Sequence, residues 1–494
     1  MERLKKNLAK AEEEIVRKKD WVKTGKMRQK YHFMAESGWI NDPNGLIFFQ
    51  NKYHFFYQYN PFEAVWGTMH WGHAVSTDMI HWEYLPVALA PSEPYDNHPK
   101  GGCFSGSAIE HEGRLYLFYT GKTDYGDGFV QAQCMAYSDD GIAFKKASEN
   151  PVIPSPPPGY SKENFRDPKV WKHDGKFYMI CGGQKDHFAA ALLYRSTNLT
   201  DWEYVNVLAE SRGELGCMWE CPDFYPIGNK YVLMFSPMGL HDRTTVYLVG
   251  DMNYETGKFI HISSGEIDWG FDYYAPQSFV DATGRRLVIG WANAWDWMPW
   301  FKDWGPTHQE GWCGSFNLPR EVILRADNTL QFKPIAELKT LRCGEQIMKR
   351  CEVGEQKQEI PIADGTIYEM QLSIDLQKTT AKRFDLLLRA DEDRNTLVSF
   401  DLKRQMVGMN RSNADGWSTG ATKSTLFLTN KKEMFVHIFS DQSSIELFTD
   451  DYRTNHSCNV FPREGQNKNY IAAYGGTLFV KKIKTWQLRT SDKR

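Results

Sequence analysis

The chain lacks several features that define common protein classes. No segment approaches the roughly 18 consecutive apolar residues of a membrane-spanning helix, and the charged residues 1–6 do not begin a secretory signal. The chain has 59 Lys and Arg residues and 62 Asp and Glu residues, so basic residues are not in excess. We therefore expect neither nucleic acid nor a membrane as a partner. These absences predict a cytoplasmic protein that binds a small neutral ligand.

Paired cysteines are also missing. The nine cysteines are odd in number and form no CxxC pair, which is typical of reduced thiols in a cytosol. The closest two, Cys217 and Cys221, lack the second pair that a zinc site would need. His70, His73 and His81 are near one another in sequence, but core histidines are more common than ligands in such a setting. We therefore expect no metal ion and no cofactor.

A repeated β pattern is present instead. A polar turn followed by an apolar run recurs about every 50–60 residues, at 51–57, 113–119, 175–180, 228–234 and 284–290. Such runs are typical of strands buried on both faces, and helical periodicity is absent from them. Five units at this period predict five four-stranded blades around an axis, with the first strand of each blade lining a central funnel.

The remaining segments complete the predicted architecture. Residues 1–20 read as a charged helix with a weak apolar stripe of Leu4, Leu8, Ala11 and Ile15, which predicts a face that packs loosely on the body or docks a partner. After residue 350, alternating segments such as 384–389 and 435–440 are typical of an antiparallel sandwich. The predicted fold is all-β, a five-bladed β-propeller followed by a C-terminal β-sandwich, with a short N-terminal helix. The expected bounds are 1–30 for the helical extension, 31–335 for the propeller, 336–350 for a linker and 351–494 for the sandwich.

Three short segments place an acidic residue beside proline or tryptophan: WINDPNG at 39–45, FRDP at 165–168 and WECPD at 219–223. An unpaired buried carboxylate costs on the order of several kcal/mol, so another group is expected to pair with it or use it. Asp42, Asp167 and Glu220 are therefore predicted to meet in one site. Glycoside hydrolysis needs little more than two carboxylates, one that attacks the sugar and one that donates a proton to the leaving oxygen.

At these residues the chain closely resembles glycoside hydrolase family 32, the β-fructofuranosidases, which include invertases, sucrose-6-phosphate hydrolases, inulinases and levanases. Further matching segments are FSGSA at 104–108, DYYAPQ at 272–277, GW at 311–312 and LPRE at 318–321. The resemblance runs from about residue 31 to the C-terminus and is densest up to about residue 325. It implies the same five-bladed propeller that the repeat indicates independently.

The resemblance also implies roles for the two aspartates. Asp42 matches the nucleophile, and its place between Asn41 and Pro43 predicts a stiff turn that aims the carboxylate; an aspartate capping its own turn is the alternative. Asp167 matches the stabiliser of the transition state. A local ion pair with Arg166 would also explain it, and both interpretations are compatible.

Glu220 matches the acid/base of the family. Its neighbours Trp219 and Cys221 are expected to form an apolar shell that favours the neutral carboxyl, whereas a buried salt bridge is the structural alternative. Asp223 is expected to steady the same loop or to contact Arg166.

Eight further residues are implied to bind the fructosyl unit: Asn41, Gln58, Trp66, Phe104, Ser105, Arg166, Tyr274 and Trp291. Gln58 could instead be a core amide, and the two tryptophans could serve packing only. The tryptophan-rich stretch 291–312 either forms a stacking wall beside the leaving group, with Trp297 and Trp300 in it, or packs the propeller floor.

These observations predict a retaining exo-β-fructofuranosidase that releases fructose from terminal β-D-fructofuranosides. Sucrose, sucrose-6-phosphate and short fructooligosaccharides share the fructosyl half, and no Gly-rich phosphate loop distinguishes them. The alternatives are a fructosyltransferase, a non-catalytic sugar-binding propeller and an inverting hydrolase on the same fold, whose carboxyls would lie about 6.5–9.5 Å apart. The sequence leaves the oligomeric state open.

Overall fold

The computed structural model describes residues 2–126, 128–240, 243–299, 304–362 and 364–491. The chain divides into two compact units. The propeller unit comprises Met1–Thr24, Met34–Glu266 and Tyr273–Leu330, and the sandwich unit comprises Gly25–Phe33, Ile267–Asp272 and Gln331–Arg494.

Five sheets each supply one blade of the propeller. Blade 1 contains β1 (Gly38–Phe49), β2 (Lys52–Asn60), β3 (His70–Ser76) and β4 (Trp82–Leu89), and blade 2 contains β5 (Gly102–His111), β6 (Arg114–Asp124), β7 (Phe129–Ser138) and β8 (Lys145–Lys146). Blade 3 contains β9 (Phe165–His173), β10 (Lys176–Lys185), β11 (Phe188–Ser196) and β12 (Glu203–Glu210), and blade 4 contains β13 (Met218–Ile227), β14 (Lys230–Met238), β15 (Val246–Asn253) and β16 (Lys258–Glu266).

Blade 5 is interrupted by an excursion of the chain. Its strands are β17 (Tyr274–Val280), β18 (Arg286–Trp291), β20 (Arg320–Leu324) and β21 (Leu330–Pro334). Between the second and third of these, the chain forms α2 (Gly305–Gln309) and β19 (Trp312–Cys313). Strand β19 pairs in parallel with β1, so that Gly38 is opposite Trp312. The last blade is thereby joined to the first through backbone hydrogen bonds.

The five first strands form a closed ring. Strand β1 contacts β5, β5 contacts β9, β9 contacts β13, β13 contacts β17, and β17 contacts β1 again. The apolar repeats that predict the blades fall on the second strands β2, β6, β10, β14 and β18. These strands lie inside their sheets, with neighbouring strands on both sides, which explains why their apolar runs are nearly continuous. The predicted five-bladed propeller is confirmed.

The helix α1 (Glu2–Lys23) covers the outer edge of blade 1. Its buried residues Leu4, Ala11, Ile15 and Val22 recur on one helical face. The Glu12 side chain accepts a hydrogen bond of 2.6 Å from the Val87 backbone N–H of strand β4. A helix that covers an edge strand in this way removes a surface on which other strands could add. No described helix is long and apolar enough to cross a membrane.

The sandwich unit contains two six-stranded sheets, and a 3-10 helix at Ala336–Leu341 precedes their first strand. One sheet contains β22 (Arg342–Val353), β33 (Leu478–Leu488), β24 (Tyr368–Asp375), β29 (Glu433–Asp441), β30 (Ser444–Thr449) and β31 (Thr454–Asn459). The other contains β23 (Gln358–Glu359), β32 (Lys468–Tyr474), β25 (Arg383–Ala390), β26 (Thr396–Asp401), β27 (Met406–Asn410) and β28 (Ala421–Thr425). Strand β22 begins inside the stretch 336–350 where the sequence predicts a linker, because these residues pair along β33.

A buried histidine ties the segment Gly25–Phe33 into the sandwich unit. The His32 ring bridges two carboxylates, with Nδ1 2.8 Å from Asp441 Oδ2 and Nε2 3.0 Å from Glu446 Oε1. The Asp441 carboxylate also accepts hydrogen bonds from the backbone N–H groups of Lys30 and Tyr31. This network explains why strands β29 and β30 carry buried acidic residues next to their hairpin turn.

Candidate active site

Every first strand of the propeller is irregular close to its beginning. The regular pairing with the second strand of the blade is interrupted between Ile40 and Pro43 in β1, Phe104 and Gly106 in β5, Glu220 and Asp223 in β13, and Tyr274 and Gln277 in β17. In blade 3, the interruption lies opposite Ile180 and Gly182 of β10. Such β-bulges redirect side chains and are enriched beside active sites.

Proline marks four of these five bulges. Pro43, Pro168, Pro222 and Pro276 each follow the residue at which the ladder breaks. Proline has no N–H to give to a ladder, so within a sheet it is tolerated at a bulge. Asp167 adopts a φ of +65°, a conformation that costs energy for a residue with a side chain. The stiff turn predicted around Asp42 is therefore a bulge within strand β1.

The bulges place two sets of side chains at corresponding positions of the five strands. The first set is Asn41, Phe104, Arg166, Glu220 and Tyr274, and the second set is the residue that follows each of them: Asp42, Ser105, Asp167, Cys221 and Ala275. Because the first strands form a ring, positions far apart in sequence meet around one axis. The three predicted acids thus all come from one repeated structural feature.

A cavity of about 380 Å³ opens among these side chains, a size typical of small-molecule sites. Nine of the eleven residues that the sequence predicts for the site line it: Asn41, Asp42, Gln58, Trp66, Phe104, Ser105, Arg166, Asp167 and Glu220. Gln58 also donates to the Cys103 carbonyl at 2.9 Å, so it is both a pocket residue and a satisfied amide. Tyr274 and Trp291 are not among the lining residues.

The two oxygens of Asp42 have different surroundings. The Ser105 hydroxyl donates to Oδ2 at 2.5 Å, and the Cys221 thiol lies 3.4 Å from the same atom. Oδ1 has no hydrogen-bond partner within the described part of the chain. Burial raises the pKa of Asp42, and the negative charge of Glu220 raises it further. The carboxylate is held through Oδ2, while Oδ1 is buried without a hydrogen-bond partner in the described part of the chain.

Glu220 is held by two polar side chains. Arg166 donates to Oε1 through Nε at 3.1 Å and through a terminal nitrogen at 3.0 Å, and the Tyr274 hydroxyl donates to Oε2 at 2.7 Å. The expectation of an apolar shell is wrong, because neighbouring side chains of a strand point to opposite faces. Trp219 accordingly stacks on Phe235 at a ring distance of 4.1 Å instead of covering the carboxylate.

Asp167 lies between its charged neighbours and the backbone of the next blade. The Cys221 N–H donates to Oδ2 at 2.8 Å, and Arg166 Nε is 3.9 Å from the same oxygen. Burial raises the pKa of Asp167 to about 7; Arg166 opposes this shift, whereas Glu220 and Asp42 add to it. The three acids and one guanidinium therefore behave as one coupled cluster.

Three residues that sequence reasoning missed surround Arg166. Asn164 Oδ1 accepts from its guanidinium at 3.0 Å, Gln131 Oε1 accepts at 3.3 Å, and the Met238 sulfur lies 3.2 Å from it. All three line the cavity. Asn164 precedes the FRDP motif directly, but the other two belong to different strands and no motif identifies them.

The tryptophan-rich stretch contributes Trp295 to the lining. Its ring stacks on Trp39 at 6.1 Å and lies 4.6 Å from the ring of Trp291, which is fully buried. Trp291 thus supports the pocket from behind. Trp297 packs against Trp304 at 5.4 Å and is not among the lining residues, while Trp300 lies outside the described residues.

A second polar layer connects neighbouring blades. Asp223 accepts a hydrogen bond from the Ser278 backbone N–H and lies 3.2 Å from Lys169 Nζ. The prediction of a contact between Asp223 and Arg166 is therefore wrong, since the strand directs Asp223 away from the cavity and towards blades 3 and 5. Gln277 links other blades by donating to the Gly106 carbonyl at 2.6 Å.

The candidate histidines have protein partners. His73 Nε2 lies 3.0 Å from His54 Nδ1, and His81 Nδ1 lies 2.7 Å from Asp78 Oδ2. Among the residues that the structure describes, no group of three His, Cys, Asp or Glu side chains could hold a metal ion.

Comparison with protein-family models covers almost the whole chain. The model for the glycosyl hydrolases family 32 N-terminal domain matches residues 32–334, and the model for the family 32 C-terminal part matches residues 337–487.

Individual relatives agree with these matches. A sucrose-6-phosphate hydrolase from Zymomonas mobilis is 36% identical over 99% of this chain and 97% of its own length. A raffinose invertase from Escherichia coli is 35% identical over 91% of this chain and 92% of its own length. The structure of a β-fructofuranosidase from Bombyx mori in complex with sucrose is 31% identical, covers 98% of this chain and 99% of its own, and has a TM-score of 0.83. The chain therefore belongs to glycosyl hydrolase family 32 and is a glycoside hydrolase of the β-fructofuranosidase type.

Proposed function

We propose that Asp42 is the nucleophile of a retaining reaction and that Glu220 is its acid/base. The Asp42 carboxylate attacks C2 of a terminal β-fructosyl unit while the bond from C2 to the glycosidic oxygen breaks. Glu220 gives its proton to that oxygen, so that the leaving sugar departs as an alcohol. The observation that carries the proposal is the unpartnered Oδ1 of a buried carboxylate that lies in one cavity with Glu220.

The second half of the reaction restores both groups. Water attacks C2 of the fructosyl ester, Glu220 takes the proton of the water, and the bond between C2 and Asp42 breaks. Fructose leaves with its original anomeric configuration. The contacts of Glu220 with Arg166 and Tyr274 support this assignment, since they fix both oxygens of the carboxylate that must exchange the proton.

Asp167 is proposed to hold the fructosyl hydroxyl groups while positive charge develops at C2. Its support is its place in the cavity and the Cys221 N–H that fixes one of its oxygens. Asn41, Gln58, Trp66, Phe104 and Ser105 are proposed to complete the fructosyl pocket, because all of them line it.

The proposed substrates are sucrose and sucrose carrying a phosphate, in the cytoplasm. The names of the relatives support this class, since they include a sucrose-6-phosphate hydrolase and a structure bound to sucrose. A charged sugar phosphate does not cross a bilayer freely, so an enzyme that uses it must share its compartment.

Two measurements test the reaction. Proton NMR of the first minutes of sucrose cleavage should show β-fructofuranose as the initial product; release of the inverted anomer would contradict Asp42 as nucleophile. Values of kcat/KM on sucrose, sucrose-6-phosphate and 1-kestose should favour one of the first two substrates. A preference for the trisaccharide would contradict the proposed substrate class.

A further inference from the structure

A lysine that no motif identifies projects into the same cavity. Lys122 belongs to β6, the second strand of blade 2, and it lines the cavity. Its ammonium lies over three aromatic rings, 4.5 Å from the ring centre of Phe129, 4.8 Å from that of Phe104 and 5.8 Å from that of Trp66. These three rings and the lysine are called the Lys122 cage below.

The charge of Lys122 has no anionic partner in the protein. Within the described ranges the ammonium takes part in no hydrogen bond or ion pair, and only the ring contacts are found. Aromatic faces attract a cation and offset part of the loss of water around it. Burial lowers the pKa of Lys122 to about 8, and Arg166 also lowers it, while Glu220 and Glu163 raise it. The group therefore remains mostly protonated at pH 7.

The Lys122 cage shares one cavity with Glu220, and two of its rings, Trp66 and Phe104, also border the proposed fructosyl pocket. The charged groups that act on the ammonium are Arg166, Glu220 and Glu163. Glu220 is the residue proposed to protonate the leaving oxygen, so a cation that lines the same cavity is available to the departing sugar. An ammonium with free donors, held in place by rings, suits the oxygens of a phosphate monoester.

We propose that Lys122 is a specificity-determining residue that binds a phosphate carried by the leaving sugar. The inference rests on the proposed function, because it takes the leaving sugar to occupy the side of Glu220. It assigns the preferred substrate class as sucrose phosphorylated on its glucosyl half. No covalent step is added to the reaction.

Three variants of the full-length protein separate charge from packing. Lys122→Met keeps a long flexible side chain for the rings but removes the charge, and Lys122→Arg keeps the charge. Lys185→Met serves as the matched control, because Lys185 also lies over a ring, that of Tyr160 at 5.8 Å, but is not among the lining residues.

We expect Lys122→Met to lower the ratio of kcat/KM on sucrose-6-phosphate to kcat/KM on sucrose by about 10- to 100-fold, the usual effect of one charge-assisted hydrogen bond. Lys122→Arg should restore most of the ratio, and Lys185→Met should leave it unchanged. The wild-type ratio should fall as salt is added. Equal losses on both substrates in Lys122→Met would overturn the proposal and leave the lysine as a support for the ring wall.

A binding measurement keeps the test independent of catalysis. Titration with glucose 6-phosphate and with glucose should show tighter binding of the phosphorylated sugar to the wild type, and Lys122→Met should remove that difference. If the wild type cleaves neither sucrose nor its phosphate, the proposed function fails, while the glucose 6-phosphate titration still decides the role of Lys122. Equal affinities of the wild type for the two sugars would overturn the inference.

Discussion

At the scale of single residues, the site combines an Asp42 that has one hydrogen-bonded and one buried, unpaired oxygen with a Glu220 whose two oxygens are both hydrogen-bonded. A buried carboxylate normally pairs both oxygens, since a lone buried acceptor costs about 1–3 kcal/mol. The buried, unpaired Oδ1 of Asp42 therefore costs the folded chain free energy. The strained φ of Asp167 is a second such cost.

Replacing Asp42 with Asn should lower kcat on sucrose by on the order of 10⁴-fold or more, because the amide cannot form the covalent intermediate. The Ser105 hydroxyl can still donate to the amide oxygen, so the folded structure should persist. Steady-state kinetics give the loss, and circular dichroism with the melting temperature gives the control. Near-normal turnover by a folded Asp42→Asn protein would remove Asp42 from the role of nucleophile.

Glu220→Gln should lower kcat on sucrose by roughly 10²–10⁴-fold, the usual contribution of a general acid. On a fructoside whose leaving group needs no proton, the loss should be smaller. The acidic limb of the pH profile of that substrate should also move to lower pH, because the charge of Glu220 raises the pKa of Asp42. Equal losses on both fructosides would show that Glu220 is structural.

At the scale of elements, the first strands both position the site residues and connect neighbouring blades. Their bulges direct Asp42, Asp167 and Glu220 into the cavity, while the residues just beyond the bulges hold the blades together. Lys169 of β9, Asp223 of β13 and the Ser278 backbone of β17 meet in one buried contact. The geometry of the cavity therefore depends on a neighbouring layer that does not touch it.

Breaking this contact should destabilise the propeller. Asp223→Asn leaves Lys169 buried without its ion-pair partner, and we expect a decrease of about 3–5 kcal/mol in the free energy of unfolding. Denaturant unfolding of Asp223→Asn, Lys169→Met and the double variant measures the coupling between the two residues. Additive effects in the double variant would mean that the pair is not an interacting unit.

At the scale of the whole molecule, the buried His32 makes stability depend on pH. Burial alone would lower the pKa of His32, but the hydrogen bonds and charges of Asp441 and Glu446 outweigh it and raise the pKa to about 9. A pKa that is higher in the folded state gives stability that is complete below about pH 6.5. That stability is lost as the pH rises towards 9.

Scanning calorimetry of the wild type between pH 6 and 9.5 should therefore show a falling melting temperature. His32→Gln should start from a lower value and lose much of this dependence, since the neutral amide cannot pair with both carboxylates as a cation does. An identical pH dependence in the two proteins would show that another group is responsible.

The amino-acid sequence by itself determined the family, the reaction class and the propeller. The acidic residues stand in short segments that contain the prolines of the bulges, and the second strands repeat their apolar runs at similar intervals. Each acidic motif and each apolar run lies within a few neighbouring residues, so both are visible in the sequence. Nine of the eleven predicted site residues accordingly line the cavity.

Only the tertiary structure decided which side chains meet. Glu220 receives its hydrogen bonds from Arg166 and Tyr274, each 54 residues away, and these partners come together because the five blades close into a ring. Lys122 and Trp295 reach the cavity from outside the first strands, where no local motif distinguishes them from core residues. Pairing across blades is a property of packing between distant segments, and a local pattern carries no information about it.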